Sequence, residues 1–559
     1  MKNTKKTRRV AAFAAAVMMA ACVAVPMSSF SASAEGSISI SNEATGHTYE
    51  AYQIFDGDLS DGVLSNIIWG VGIDDTKQTE LLAAINAITL TDNSKPFETC
   101  ADAAAVAKVL SDANAIFDAE ITKKFASVVG QYLGTPTGST TGNTYTISNL
   151  DDGYYLVKDK DDTLSGVDDS KTRYIVEVLG NKTNISPKSS KPSVMKKVQE
   201  GDLISGNEET TTFAGKTDYA VGDGYNDVAD YSIGDAVPFK LYGTLPSTLG
   251  DYTKYKYVFH DTLGTEFTAP AAKDVKVYID GDETSSATVD VSGQNITVTF
   301  NDIIDAGATK DSIVTVAYNA VLNANAQIGL PGQRNEVYLT YSNNPNWVGD
   351  GTGGSGDTPS DDGKTPKDEV IVFTYELDTT KVDGADNTKK LANAEFKLQA
   401  ASGTHKDKWA IVTDGKLSGW SDTEDGGTTL KSDANGLFKV AGLEDGTYSL
   451  KETKAPTGYN LLADPIEVVL TADTANGQNW DDGNSATALT ALTVTADNKG
   501  GTVDDSKGIA SISIANNKGS TLPSTGGIGT TLFYVGGGVL VAGAGVLLIT
   551  KKRAKKDAE

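Results

Sequence analysis

Phe373-Thr374-Tyr375-Glu376-Leu377-Asp378-Thr379-Thr380-Lys381 alternates apolar and polar residues, the pattern of a strand with one face in a core. Side chains two apart share a face. Phe373, Tyr375, Leu377 and Thr379 therefore carry Lys381 onto the apolar side. Two later stretches behave alike. Tyr448-Ser449-Leu450-Lys451-Glu452 turns Glu452 inward, and Ile512 and Ile514 lead to Asn516. A lysine from a first strand, an acid from a late strand and an asparagine from a last strand thus point into one core. The same trio recurs upstream at nearly the same spacing. Val194 and Val198 flank Lys196, Tyr257 and Phe259 lead to Asp261, and Asn335 opens the face of Val337, Leu339 and Tyr341.

Burial gives these residues a chemistry. A lysine removed from water loses its charge and becomes an amine nucleophile, whereas a buried carboxyl group keeps its proton. Together they favour attack of the amine on the asparagine Cγ with loss of ammonia. Alternation alone equally fits edge positions with solvated polar ends, and Lys197 and Asn517 are adjacent alternatives.

The trios organise the rest of the chain, which reads as mainly β. Residues 188–348 carry short strands at sandwich spacing, separated by Gly, Asp and Asn turns. Residues 349–368 form a Gly/Asp/Pro linker, and 369–518 a second strand-rich domain. Residues 35–187 mix strands with helical spacing over 79–88 and 101–133, with Val106, Leu110, Ala113 and Phe117 near one face, so an α+β domain is expected there. No lysine occurs between Glu35 and Thr76, so a cross-link from this domain's first strand is not expected.

Both ends carry export-type signals. Residues 1–34 combine Lys2, Lys5, Lys6, Arg8 and Arg9 with an apolar run and Ala32-Ser33-Ala34, as a signal peptide does. Cys22 after Met19-Ala20-Ala21 faintly suggests a lipoprotein cysteine. Residues 519–559 contain Leu522-Pro523-Ser524-Thr525-Gly526, an apolar run over 528–549 and a basic tail. About 20 apolar residues suffice to cross a bilayer, and the basic tail should stay in the cytoplasm. The net charge is −26, and both terminal pieces are basic, so the part between them is more acidic still. That balance argues against nucleic acid as a partner. Cys100 is the one cysteine outside the signal peptide, so no intramolecular disulfide is expected in the processed chain. His47, His260 and His405 are far apart, no EF-hand loop is present, and no metal or cofactor is expected.

The C-terminal motif, span and basic tail resemble the cell-wall sorting signal of Gram-positive surface proteins. Tyr448 to Tyr459 (YSLKETKAPTGY), with Thr380-Lys381-Val382-Asp383 and Leu391 to Leu398, resembles a collagen-adhesin-B-type (CnaB) domain. Tyr257 to Leu263 and Asn335 to Pro345 resemble the middle, CnaA-like domain of Gram-positive backbone pilins. The resemblance implies tandem Ig-like β-sandwiches behind an α+β pilin domain, with a C-terminal transmembrane sorting helix. It implies intramolecular isopeptide bonds Lys196–Asn335 and Lys381–Asn516, with Asp261 and Glu452 as their acids. It also implies sortase cleavage between Thr525 and Gly526. Ile185-Ser186-Pro187-Lys188 resembles the pilin motif, with Ser186 where the family has tyrosine and without its upstream tryptophan. Lys188 is accordingly the expected acceptor of the neighbouring subunit's Thr525, with Lys191 the runner-up. The implied partners are identical subunits, minor or tip pilins, a class C-type pilus sortase, the housekeeping sortase, peptidoglycan and a host ligand of unspecified kind. A monomeric wall-anchored adhesin would share the sorting signal without using Lys188. An exported enzyme would need a paired-carboxylate constellation, which the sequence does not offer.

Overall fold

A computed structural model describes residues 36–113, 119–179, 182–201, 208–213, 216–349, 355–360, 362–474, 480, 483–519 and 528–556. The signal peptide and the Leu522–Gly526 motif lie outside the described residues.

In the N-terminal part the long strand Thr48–Ser60 is the spine of a five-stranded sheet with Val63–Trp69, Gly138–Thr141, Gly153–Asp159 and Ile175–Leu179. Helices Gln78–Asn86, Ala103–Asp112 and Glu120–Val129 share a core with this sheet through Leu81, Ile85, Val106 and Phe125. The helical spacing over 101–133 is therefore split between two helices. The first is capped by the Asp102 carboxylate accepting the Ala105 N–H at 2.8 Å. It ends in Ser111-Asp112-Ala113, where polar side chains compete with the helical backbone. Phe117 lies outside the described residues. A smaller sheet sets Gly36–Ile40 between Tyr145–Leu150 and Thr183–Ile185.

The middle part is a two-sheet sandwich. One sheet runs Tyr225–Asn226, Val194–Gln199, Ala236–Thr244, Ile313–Leu322, Lys276–Ile279 and Asp282–Glu283. The other runs Val228–Asp230, Asp368–Phe373, Gln333–Tyr341, Tyr257–Leu263, Asn295–Phe300 and Thr288–Ser292. Strict burial alternation along Gln333–Tyr341 places Asn335, Val337, Leu339 and Tyr341 inside. Pairing in this sandwich reaches past the stretch read as a linker. Gly363–Lys364 and Asp368–Phe373 both pair with Gln333–Tyr341. The run Val370-Ile371-Val372-Phe373 is apolar at every position because it is covered on both faces, so it lacks the alternation that marks a half-buried strand.

In the C-terminal part Tyr375–Asp383 lies between Leu437–Leu443, antiparallel, and Ile509–Asn516, parallel. Glu395–Ala400, Gly446–Lys454, Ile466–Thr474 and Leu489–Ala496 complete the strands around its core. The helix Ile528–Lys556 contains a span, Leu532–Arg553, of 22 residues with mean hydropathy 2.2 and no residue buried against protein.

Candidate cross-linking sites

The structure brings both lysine–acid–asparagine trios together. In the C-terminal part, Lys381 and Asn516 sit on adjacent parallel strands, with Lys381 beside Ile514 and Asn516 beside Asp383. Lys381 Nζ donates to Asn516 Oδ1, and the Asn516 amide donates to Glu452 Oε1 and Oε2 at 2.9 and 3.0 Å. Glu452 Oε1 lies 3.4 Å from Lys381 Nζ, and Oε2 accepts the Leu462 N–H at 2.9 Å. All three side chains are buried. Nζ stands over the Phe396 ring at 5.4 Å. Burial in this apolar setting outweighs the attraction of Glu452 and pulls the Lys381 amine down to about 8.

The middle trio has a fourth member. Lys196 Nζ donates to Asp261 Oδ2 at 2.5 Å and to the Tyr318 hydroxyl at 3.3 Å. Tyr318 donates to Asp261 Oδ2 at 2.9 Å and accepts the Asn335 amide N–H at 2.7 Å. One phenol thus touches all three residues. Asp261 Oδ1 and Asn335 Oδ1 are buried and have no hydrogen-bond partner among the described residues. Burial pulls Lys196 below the usual ammonium range and pushes Asp261 above the usual carboxylate range, in each case against the attraction of the other. Sequence reasoning missed Tyr318. Its signal was available, because Val314, Val316 and Tyr318 share the inward face of one strand.

The adjacent alternatives separate cleanly. Lys197 faces the other side of its strand and pairs with Asp227, and Asn517 is exposed.

Lys188 is half-buried, and its backbone N–H donates to Thr172 Oγ1 at 3.2 Å. Thr172 N–H in turn donates to Asp159 Oδ2 at 2.6 Å. Asp159 Oδ1 meets His47 Nδ1 at 2.7 Å, and His47 Nε2 meets Asp169 Oδ2 at 3.2 Å. A buried network therefore underlies the Lys188 segment. Burial works to lower the His47 pKa, but its hydrogen bonds to the Asp159 and Asp169 carboxylates, with their charge, outweigh it and raise the group to about 9. Lys191 Nζ is occupied differently, donating to Asp168 O at 2.8 Å and to Asp168 Oδ2 at 2.5 Å.

Comparison with known proteins agrees with this anatomy. Residues 376–484 match the model of a prealbumin-like fold domain (SpaA), and residues 514–557 match the LPXTG cell wall anchor motif. The chain is 24% identical over 482 residues to the trypsin-resistant surface T6 protein of Streptococcus pyogenes serotype M6, covering 76% of this chain and 79% of that one. Together these matches support a sortase-assembled pilin. This pilin is also 28% identical to the fimbrial subunit type 2 of Actinomyces naeslundii, over 43% of its own length and 47% of that protein. Its fold matches the solved three-domain T6 backbone pilin of serotype M6 S. pyogenes with a TM-score of 0.50 and 18% identity, covering 88% of this chain and all of that one. The pilin is an exported, cell-wall-anchored structural subunit of a pilus, processed by a sortase and polymerised with other subunits.

Proposed function

We propose that this pilin forms the pilus shaft, with Thr525 of one subunit joined to Lys188 of the next, and that each sandwich is locked by an internal amide, Lys196–Asn335 and Lys381–Asn516. The observation that carries the reading is the pair of buried trios: in one the amine, acid and carboxamide touch directly, and in the other they meet through the Tyr318 hydroxyl.

In the C-terminal trio, Lys381 Nζ faces the asparagine carbonyl and Glu452 faces the asparagine nitrogen. Attack of the neutral amine on Cγ forms the C–N bond. Glu452 passes a proton from the attacking nitrogen to the departing one, and ammonia leaves. In the middle trio the same relay runs through Tyr318, whose hydroxyl links Asp261 to the Asn335 nitrogen. A proton on Asp261 also supplies the donor that the two partnerless oxygens, Asp261 Oδ1 and Asn335 Oδ1, lack. Each reaction happens once per molecule, so neither is enzymatic turnover. Lys188 is favoured because its backbone is held on Thr172, over the buried Asp159–His47 network, and because it follows Pro187 in the segment that resembles the pilin motif. The sortases expected are a class C-type enzyme for polymerisation and the housekeeping enzyme for wall attachment. Adhesion to a host surface is the role such a filament would serve.

Intact mass of the processed subunit tests the internal links. A deficit that includes two ammonia molecules is expected, and a mass without that loss overturns them. Lys188→Ala should abolish detergent-resistant ladders while leaving wall-anchored monomer, and persistent ladders would move the acceptor elsewhere.

A further inference from the structure

We propose that Lys197 and Asp227 close a third covalent cross-link, an amide formed with loss of water, beside the junction of the middle and C-terminal parts. It extends the cross-link reading above to a pair of different chemistry, and rests on that reading's premise that an amine held in buried contact with an acyl group forms an amide.

Lys197 follows Lys196 and so faces the opposite side of the strand Val194–Gln199. Its side chain is 3% exposed and that of Asp227 is 4% exposed, and Nζ is in direct contact with Asp227 Oδ1. Asp227 is fixed on both sides. Tyr225–Asn226 pairs with Val198 and Gln199 in one sheet, and Val228–Asp230 pairs with Ile371–Phe373 in the other. The Asp227 carbonyl accepts the Ile371 N–H at 3.0 Å. The carboxyl group therefore sits in the short link between the two sheets, with little freedom to leave the amine.

Its second oxygen, Oδ2, accepts the backbone N–H of Trp480 at 2.9 Å. Trp480 comes from the C-terminal part, where the Arg334 guanidinium lies 5.6 Å from its ring. A fixed peptide N–H on this oxygen is placed to stabilise the negative charge that builds there during attack on Cγ. Burial pushes Asp227 up to about 7 in spite of the lysine, and pushes Asp368 above the usual carboxylate range. Asp368 interacts electrostatically with both groups and is anchored by the Lys196 N–H at 2.5 Å.

The balance needs no co-reactant. An ammonium and a carboxylate together equal an amide plus one water. One Nζ proton neutralises Asp227, and the Nζ lone pair attacks Cγ. A second Nζ proton passes to the departing hydroxyl. The C–O bond breaks, water leaves, and the amide nitrogen keeps its last proton. The product removes two charges from a buried site, where an ion pair recovers little of its desolvation cost. The closed loop spans a sequence separation of 30 and encloses the hairpin Glu208–Phe213/Lys216–Asp223.

Tandem mass spectrometry of tryptic peptides from wall-released pili reads this directly. A branched peptide joining Lys197 to Asp227, lighter by one water, is expected, with no cleavage after Lys197. Lys197→Arg keeps the ion pair and should abolish the branched peptide, and Asp227→Ala should abolish it as well. A linear peptide ending at Lys197, in wild-type protein, overturns the proposal. The Lys196–Asn335 and Lys381–Asn516 peptides, lighter by ammonia, report separately on the other two links.

Discussion

Replacing Lys381 with Met and Glu452 with Gln in one chain gives opposite results depending on whether the C-terminal amide exists. Glutamine matches glutamate in shape and methionine keeps most of the apolar lysine stem, and together they remove both ionisable groups of a buried pair. If Lys381 and Glu452 were only an ion pair, neutral isosteres would be neutral or stabilising by about 1–4 kcal/mol. If an amide joins Lys381 to Asn516, the variant loses a cross-link closing a loop with a sequence separation of 135. The chain-entropy model values that closure at about 5 kcal/mol. In the ion-pair case Asn516 Oδ1 also loses its donor, at about 1–3 kcal/mol, which nearly cancels the isostere gain and leaves the cross-link as the difference between the two cases. For a cooperative unit of ordinary domain size, about 5 kcal/mol lowers the melting temperature by roughly 10–20 °C. Calorimetry of the processed subunit, paired with intact mass, makes the measurement. The expected variant melts lower and has regained one ammonia. An unchanged or raised melting temperature, with no ammonia deficit in the parent, would refute the reasoning.

Three other outcomes follow from named contacts. Tyr318→Phe leaves the Lys196–Asp261 contact intact but removes the proton path to Asn335, so closure of the middle link should slow by about 100-fold or more. Mass spectra of freshly expressed chains would then show subunits with a single ammonia deficit, and prompt full closure would remove Tyr318 from the mechanism. His47 has a folded pKa raised from 6.5 to about 9, so its stabilisation is fully present below about 6.5 and is lost as pH rises through 9. Thermal stability should fall over that window by up to about 3 kcal/mol, and His47→Gln should flatten the slope. Lys188→Arg keeps the charge but not the acyl-accepting amine, so ladders should vanish while the melting curve stays unchanged, and ladders that persist would exclude Lys188.

Alternation sufficed to place the trios because apolar residues two apart lead along one face to each polar member, whatever covers the other face. The Gln333–Tyr341 strand keeps its period of two without interruption, and Asn335 falls where the pattern puts it. The pattern failed where both faces are dry. Val370 to Phe373 has no period to read, so its membership of the middle sandwich was invisible until its partners were known. Lys197 illustrates the same limit. Strand alternation turns it away from the Lys196 core, which reads as solvent, but the Tyr225–Asp230 segment and Trp480 cover that face. Partners supplied by distant segments leave no mark in local periodicity. The Thr172 and Asp159 network beneath Lys188 was likewise unreadable, since it depends on how residues 159–172 fold back over the N-terminal sheet.

The two proposed lysine–asparagine amides and the two polymerisation points define which backbone carries tension. Load entering at Lys188 runs a short way to Lys196, crosses to Asn335, follows the chain to Lys381, crosses to Asn516 and leaves at Thr525. Residues 197–334 and 382–515 are bypassed, so strands within them can fluctuate without lengthening the filament. The loaded interior is the stretch from Asn335 to Lys381, which contains the Gly/Asp-rich segment and the strands on either side of it. Those flanking strands, Gln333–Tyr341 and Asp368–Phe373, are hydrogen-bonded to each other antiparallel, from Gln333 opposite Val372 to Val337 opposite Asp368. Tension pulls on the Asn335 side of one and the Lys381 side of the other, near the same end of this ladder, so it tends to unzip the pair one bond at a time. What opposes unzipping is burial. Val370, Val372, Val337 and Leu339 lie in the sandwich core, and Ile371 and Phe373 lie in the C-terminal core. The continuous apolar run that hides this strand from a periodicity reading is thus the feature that holds the one loaded segment the cross-links leave unprotected.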